Sequence, residues 1–247
     1  MTTSPVSYPS FPCYDEKQRQ LTTEALQKHS GIDSLLLFGP HVKFGGTKVV
    51  DASPTTLFTL AQGIKAALPK QSLKSFYDPE DLVKKVDPTG HWFERCGPNG
   101  QGDTLKELAT CLQETLIKIG MNPPPSIKVE TIQFKVADLL AQHTAVDLFS
   151  NVMNQMVDPK QGEMKVVIVN YDHAHAISGA TKQRFSEGEF GGNFSIVGGY
   201  DKEKELVLLL DTDGLIWVPI ADLVDAMNIP NHKELRGYVC FTLEGLE

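Results

Sequence analysis

The sequence is short of basic charge. Its 23 lysines and arginines stand against 31 aspartates and glutamates, a formal net charge of −8. That leaves no basic stripe to neutralise phosphates, which excludes nucleic acid as a partner and disfavours an anionic membrane surface. Long apolar runs are missing too, with nothing near the roughly 18 residues of a membrane span. The opening MTTSPVSYPSFPCYDEKQ lacks the charged and apolar regions of a secretory signal, so the sequence predicts a cytoplasmic protein. The cysteines Cys13, Cys96, Cys111 and Cys240 are scattered with no CxxC pair, which excludes a zinc ribbon and a disulfide framework. Asn193-Phe-Ser195 is a glycosylation sequon in form only, since nothing points to secretion.

What is present is a 247-residue chain whose 41% hydrophobic content supports a sizeable buried core. Its first half carries helical periodicity. Leu21, Ala25 and Leu26 share a face over 14–29, with Gly31 as a stop. LLLF and KFGGTKVV over 35–50, interrupted by glycine and proline, predict a hairpin or irregular loop. In DASPTTLFTLAQGIKAAL, Ser53 reads as an N-cap with Pro54 at the first helical position, so a buried helix begins immediately after Ala52. A further helix is expected near 79–86, then a long loop over PTGHWFERCGPNGQG, then a helix capped by Asp103 and stopped by Gly120.

Pro123, Pro124 and Pro125 form a stiff connector. The expected organisation is one domain over 1–247, with a helical lobe over about 1–122 and a sheet lobe over about 126–247. Past the connector, IKVETIQF, MKVVIVNY, GGNFSIVGGY, ELVLLLD and GYVCFTL read as strands. A helix is expected over 135–157, and WVPIADLVDAM reads as a strand end followed by a helix. Helices first and antiparallel strands second predict an α+β fold.

Two places could hold chemistry. The helix start after Ala52 offers free N–H groups and a positive dipole end, where an anion or thiolate is stabilised. The strand–turn–strand around DKEK can bring Asn193 beside Asp211, the arrangement of a base and its orienting carboxylate. Each also has a plainer reading: Asn193 as a turn residue beside two glycines, Asp211 as a strand-end cap. His173 and His175, on one face of an extended segment, could offer two imidazoles to a metal with Cys96 as a further ligand; a solvated strand end is the simpler alternative. Cys96 could also be a displaced nucleophile, whereas Cys111 and Cys240 read as core. The glycines over 97–102 lack the preceding strand of a phosphate loop.

GGNFSIVGGYDKEKELVLLLD followed by WVPIADLVDAM resembles the signature of phytochelatin synthases; DASPTTLFTLAQGI and GDTLKELATCL are more faintly similar to the same family. The resemblance implies a papain-like fold and a cysteine–histidine–aspartate triad. Such a triad transfers the γ-glutamylcysteinyl group of glutathione to a second glutathione, with metal-bound thiolates favoured. Carried across, the nucleophile falls on Ala52, the general base on Asn193 and the orienting carboxylate on Asp211, with Ser53, Gly192 and Tyr200 as substrate contacts. Alanine has no nucleophile, and an amide takes up no proton near neutral pH.

The sequence therefore predicts a catalytically impaired binding or regulatory homologue with a cleft for glutathione or a γ-glutamyl peptide. Two alternatives stand beside it: an active transferase or peptidase whose nucleophile was engineered out or lies elsewhere, and a metal-thiolate binding protein. The resemblance brings cadmium or zinc as the associated metals and leaves room for a homodimer.

Overall fold

A computed structural model describes residues 11–28, 31–45, 49–135, 138–181, 191–230 and 234–246. Six strands form one sheet, β1 Lys128–Thr131, β2 Glu163–Asp172, β3 Gly192–Asp201, β4 Leu206–Asp211, β5 Gly214–Pro219 and β6 Gly237–Glu244. They are ordered β1-β6-β2-β3-β4-β5, and every neighbouring pair is antiparallel. With nine α-helices among the described residues, the fold is α+β. No helix among the described residues is long and apolar enough to cross a membrane.

The near-continuous apolar runs of β2 and β4 follow from coverage of both sheet faces. Val166, Ile168, Leu208 and Leu210 pack on one face against α2 Asp33–Phe38, α3 Ala52–Ala67, α4 Pro79–Val86, α5 His91–Cys96 and α6 Leu105–Ile119. Their strand neighbours Val167, Val169, Val207 and Leu209 pack on the other against α7 Leu139–Val157, α8 His173–Thr181 and α9 Ile220–Asn228. Successive strand residues point to opposite faces, so a strand buried twice needs apolar residues at every position. Helix α1 Glu16–Lys28 joins the sheet edge, where Gln18 Oε1 accepts from Trp217 N at 2.6 Å.

Several expectations need correction. LLLF is not a hairpin arm: it lies in α2, with Leu35 and Phe38 fully buried, followed by a 3-10 turn at Gly39–His41. The expected loop over 88–102 contains α5, whose Trp92 and Cys96, one turn apart, are both buried. Helix α3 begins at Ala52 with Asp51 in the cap position and no side-chain cap; Ser53 already lies in its first turn. Helix α6 is capped by Thr104 in a reciprocal capping box with Glu107, not by Asp103. Gly120 does end it, at φ 105°. Besides the two expected helices of the sheet half, α7 and α9, the segment from His173, expected to be extended, forms a third, α8, on the same face away from α2–α6.

Candidate active site

Ala52 opens α3 and lines a pocket of about 190 Å³ with Asp51, Ser53, Asp103, Gly191, Gly192 and Phe194. Thr56 Oγ1, one turn along α3, donates to the Phe194 carbonyl at 2.8 Å and holds the helix start against β3. Beneath the rim lies Asp103, 4% exposed. Its carboxylate accepts from Ser53 Oγ at 2.5 Å, Trp92 Nε1 at 2.7 Å and Arg95 Nε at 3.0 Å. Three donors, one of them cationic, are what a buried carboxylate requires. Ser53 is thus tied to Asp103. Burial, then the Asp103 charge, raises the pKa of the neighbouring Asp51.

Asn193 and Asp211 meet as the sequence anticipates. Asn193 Nδ2 donates to Asp211 Oδ2 at 2.8 Å, and Asn193 Oδ1 accepts from Phe194 N at 2.9 Å, so both ends of the amide are engaged. Strand alternation places Asn193, Ser195, Tyr171 and Asp211 on the sheet face covered by α7–α9, whereas α3 covers the other. The wall of the Ala52 pocket is accordingly made by Gly191, Gly192 and Phe194, the residues flanking Asn193. Ala52 and the Asn193–Asp211 pair share one end of the sheet but not one face.

Asp211, 2% exposed, collects more donors. Tyr171 Oη donates to Oδ2 at 2.5 Å and sits 2.9 Å from Ser195 Oγ. Asp213 N donates to Oδ1 at 3.0 Å. His173 Nε2 lies 3.2 Å from Oδ2 and 4.0 Å from Asp213 Oδ2. Burial works to raise the Asp211 pKa, but the His173 hydrogen bond and charge, with Tyr171, hold it below the ordinary value. Burial likewise opposes a charged His173, yet Asp211 and Asp213 raise its pKa. His173 is therefore no solvated strand end. The chain turns directly from β2 into α8 at this residue, which buries the imidazole to 5% exposure.

The other candidates separate. Cys96 packs in the core on the α2–α6 face and His175 sits on α8 across the sheet, so the structure does not assemble them with His173. Among the described residues, the histidine, cysteine and carboxylate side chains close enough to share an ion are His173, Asp211 and Asp213. Burial, then the charges of Asp103 and Asp51, pushes the Cys96 thiol up to about 12. It stays protonated near neutral pH, the opposite of an activated nucleophile. Tyr200 lies seven residues from Asn193 along β3, about 23 Å away; its N–H donates to Gly31 O at 2.8 Å, and it does not line the Ala52 pocket.

Arg236 was not foreseen. It is 3% exposed, its Nη2 lies 3.6 Å from Asp172 Oδ2, and its Nε and Nη1 have no hydrogen-bond partner among the described residues. A Cβ on Gly192 would stand 3.3 Å from Arg236 Nη2, so glycine there lets the guanidinium press against the pocket wall. Burial lowers its pKa, with Asp172 opposing. No sequence signal marks it, because a single arginine ahead of a strand is ordinary.

No curated protein matches the chain. The family model for phytochelatin synthase matches residues 99–238, a span that contains Asn193, Asp211 and Arg236 and begins after Ala52. That match covers more than half of the 247 residues, and the chain belongs to the phytochelatin synthase family.

Proposed function

We propose that this chain is a catalytically impaired, papain-like member of its family that binds a γ-glutamyl peptide such as glutathione without turning it over. The observation that carries the reading is the Asn193–Asp211 hydrogen bond of 2.8 Å, with the far end of the amide closed by Phe194 N. An imidazole in that position would hand one nitrogen to the carboxylate and keep the other for a proton; this amide has nothing left to exchange. Ala52 contributes only a methyl group at the helix start, and the thiol of Cys96, whose carbonyl accepts from Asp51 N, is held protonated. Losing members of such a triad removes roughly 10⁴- to 10⁶-fold in rate.

Binding is supported by what the pocket keeps. The start of α3 and the Asp51 carboxylate line it, and the Arg236 guanidinium, two of whose donors have no partner among the described residues, stands behind Gly192. Carboxylates in the lining, with a guanidinium behind the Gly192 wall, offer both signs of charge to the zwitterionic head of a γ-glutamyl group. Cadmium or zinc would enter here as the thiolate complex of the peptide, as substrate rather than resident cofactor. A cytoplasmic location and a homodimer remain part of the proposal.

Incubation with glutathione, with and without Cd²⁺, followed by mass spectrometry is expected to show neither released glycine nor longer γ-glutamyl peptides, while calorimetry detects glutathione binding. Turnover by the unaltered chain overturns the impairment, and absent binding overturns the retained cleft. Because position 193 points to the face away from the Ala52 pocket, Ala52→Cys combined with Asn193→His is expected to stay silent in glycine release, and turnover by the folded double variant would show that the two groups can meet.

A further inference from the structure

On the sheet face opposite the Ala52 pocket, Asp211 has more donors than it needs. Tyr171 Oη, Asn193 Nδ2 and Asp213 N already bond its two oxygens, so the carboxylate is satisfied without His173. Yet His173 Nε2 stands 3.2 Å from Asp211 Oδ2 and 4.0 Å from the second carboxylate, Asp213 Oδ2. One imidazole facing two carboxylates carries an anionic excess that a hydrogen-bonded pair does not call for. We propose that His173, Asp211 and Asp213 form a divalent-metal site, suited to zinc or a similar ion.

Donors bound tetrahedrally at about 2.0–2.2 Å lie roughly 3.4 Å apart. The two separations at His173 fall on either side of that value, and all three ligand atoms lie within 4.8 Å of one another. The ligands come from rigid and adjustable parts of the chain. His173 sits at the β2–α8 junction with its N–H bonded to Gly191 O at 3.1 Å, and Asp211 ends β4. Asp213, in the turn before β5, has a side chain 59% exposed, which lets it swing inward and gives an ion a way in. Tyr171 and Asn193 supply the outer hydrogen bonds that usually orient a ligating carboxylate. Asn193 thereby has a use of its own as a support for the Asp211 ligand. One nitrogen and two oxygens favour zinc or manganese over thiolate-seeking cadmium, which separates this site from any metal carried by a thiol peptide.

Calorimetric titration of the chelator-treated protein with Zn²⁺, without glutathione, tests the site. The expected result is saturable one-to-one binding, with Co²⁺ binding at the same site and showing no thiolate charge-transfer band. Asp213→Asn changes an exposed side chain and should fold normally; it and His173→Gln should each weaken Zn²⁺ at least about tenfold. His175→Ala and Cys96→Ser should bind as the unaltered chain does. Absence of saturable Zn²⁺ binding, undiminished affinity in Asp213→Asn or His173→Gln, or loss of binding in Cys96→Ser would each overturn the proposal.

Discussion

Asp103 and Asp211 are two buried carboxylates at the same end of one sheet, on opposite faces, and each is surrounded by side-chain donors. Around Asp103 the donors are a hydroxyl, an indole and a guanidinium, none of which changes protonation near neutral pH. Around Asp211 they are a phenol, an amide and an imidazole, with a second carboxylate beside the imidazole. The first is a clamp tying the start of α3 to α5 and to the approach to α6. The second has a partner that can gain or lose a proton and a neighbour exposed to solvent. Burial alone does not distinguish a structural aspartate from a functional one; the identity of its donors does.

That contrast breaks most visibly if the clamp is removed. Asp103→Ala leaves the Ser53, Trp92 and Arg95 donors facing a void and is expected to cost about 3–5 kcal/mol in urea-denaturation midpoint analysis. His173→Gln should cost less, about 1–3 kcal/mol, because Tyr171, Asn193 and Asp213 N still bond Asp211. A larger loss than from Asp103→Ala would invert the assignment of clamp and site. Trp92→Phe keeps the ring packed and removes one donor from Asp103, for about 1–2 kcal/mol by the same measurement. The smallest effect is a null one. Burial and nearby carboxylates push Cys96 and Cys111 up to about 12, above a working pH of 8, so both stay thiols and should escape iodoacetamide until urea is added. Peptide mapping that finds Cys96 alkylated in the folded protein would return it to the list of nucleophiles.

Long periodic elements were readable in advance. Helix α4 lies where the 79–86 pattern puts it, and the apolar run of MKVVIVNY became a doubly covered strand. Short elements were not, for physical reasons. Helix α2 is six residues long, too short for LLLF to show a helical period, and α5 hid among glycines and prolines although Trp92 and Cys96 sit one turn apart. The true cap of α6 was legible as a Thr-x-x-Glu box, and the adjacent Asp103 obscured it. At the site, the Asn193–Asp211 pairing followed from two strands and a turn. The burial of His173 did not, because it depends on the abrupt passage from β2 into α8.

Local pattern by itself determined the fold class, the family signature, the existence of a buried helix near residue 52 though not its cap, and the amide and methyl group at the two positions where the resemblance expects an imidazole and a thiol. Those are matters of residue type and of spacing within some twenty residues. Which face of the sheet each group occupies, that His173 reaches Asp211, that Ser53 is spent on Asp103, and that Arg236 stands behind Gly192 beside Asp172 were decided only by tertiary structure. Each of those is a meeting of residues set apart by intervening elements, and their approach is governed by the packing of helices on both sides of the sheet.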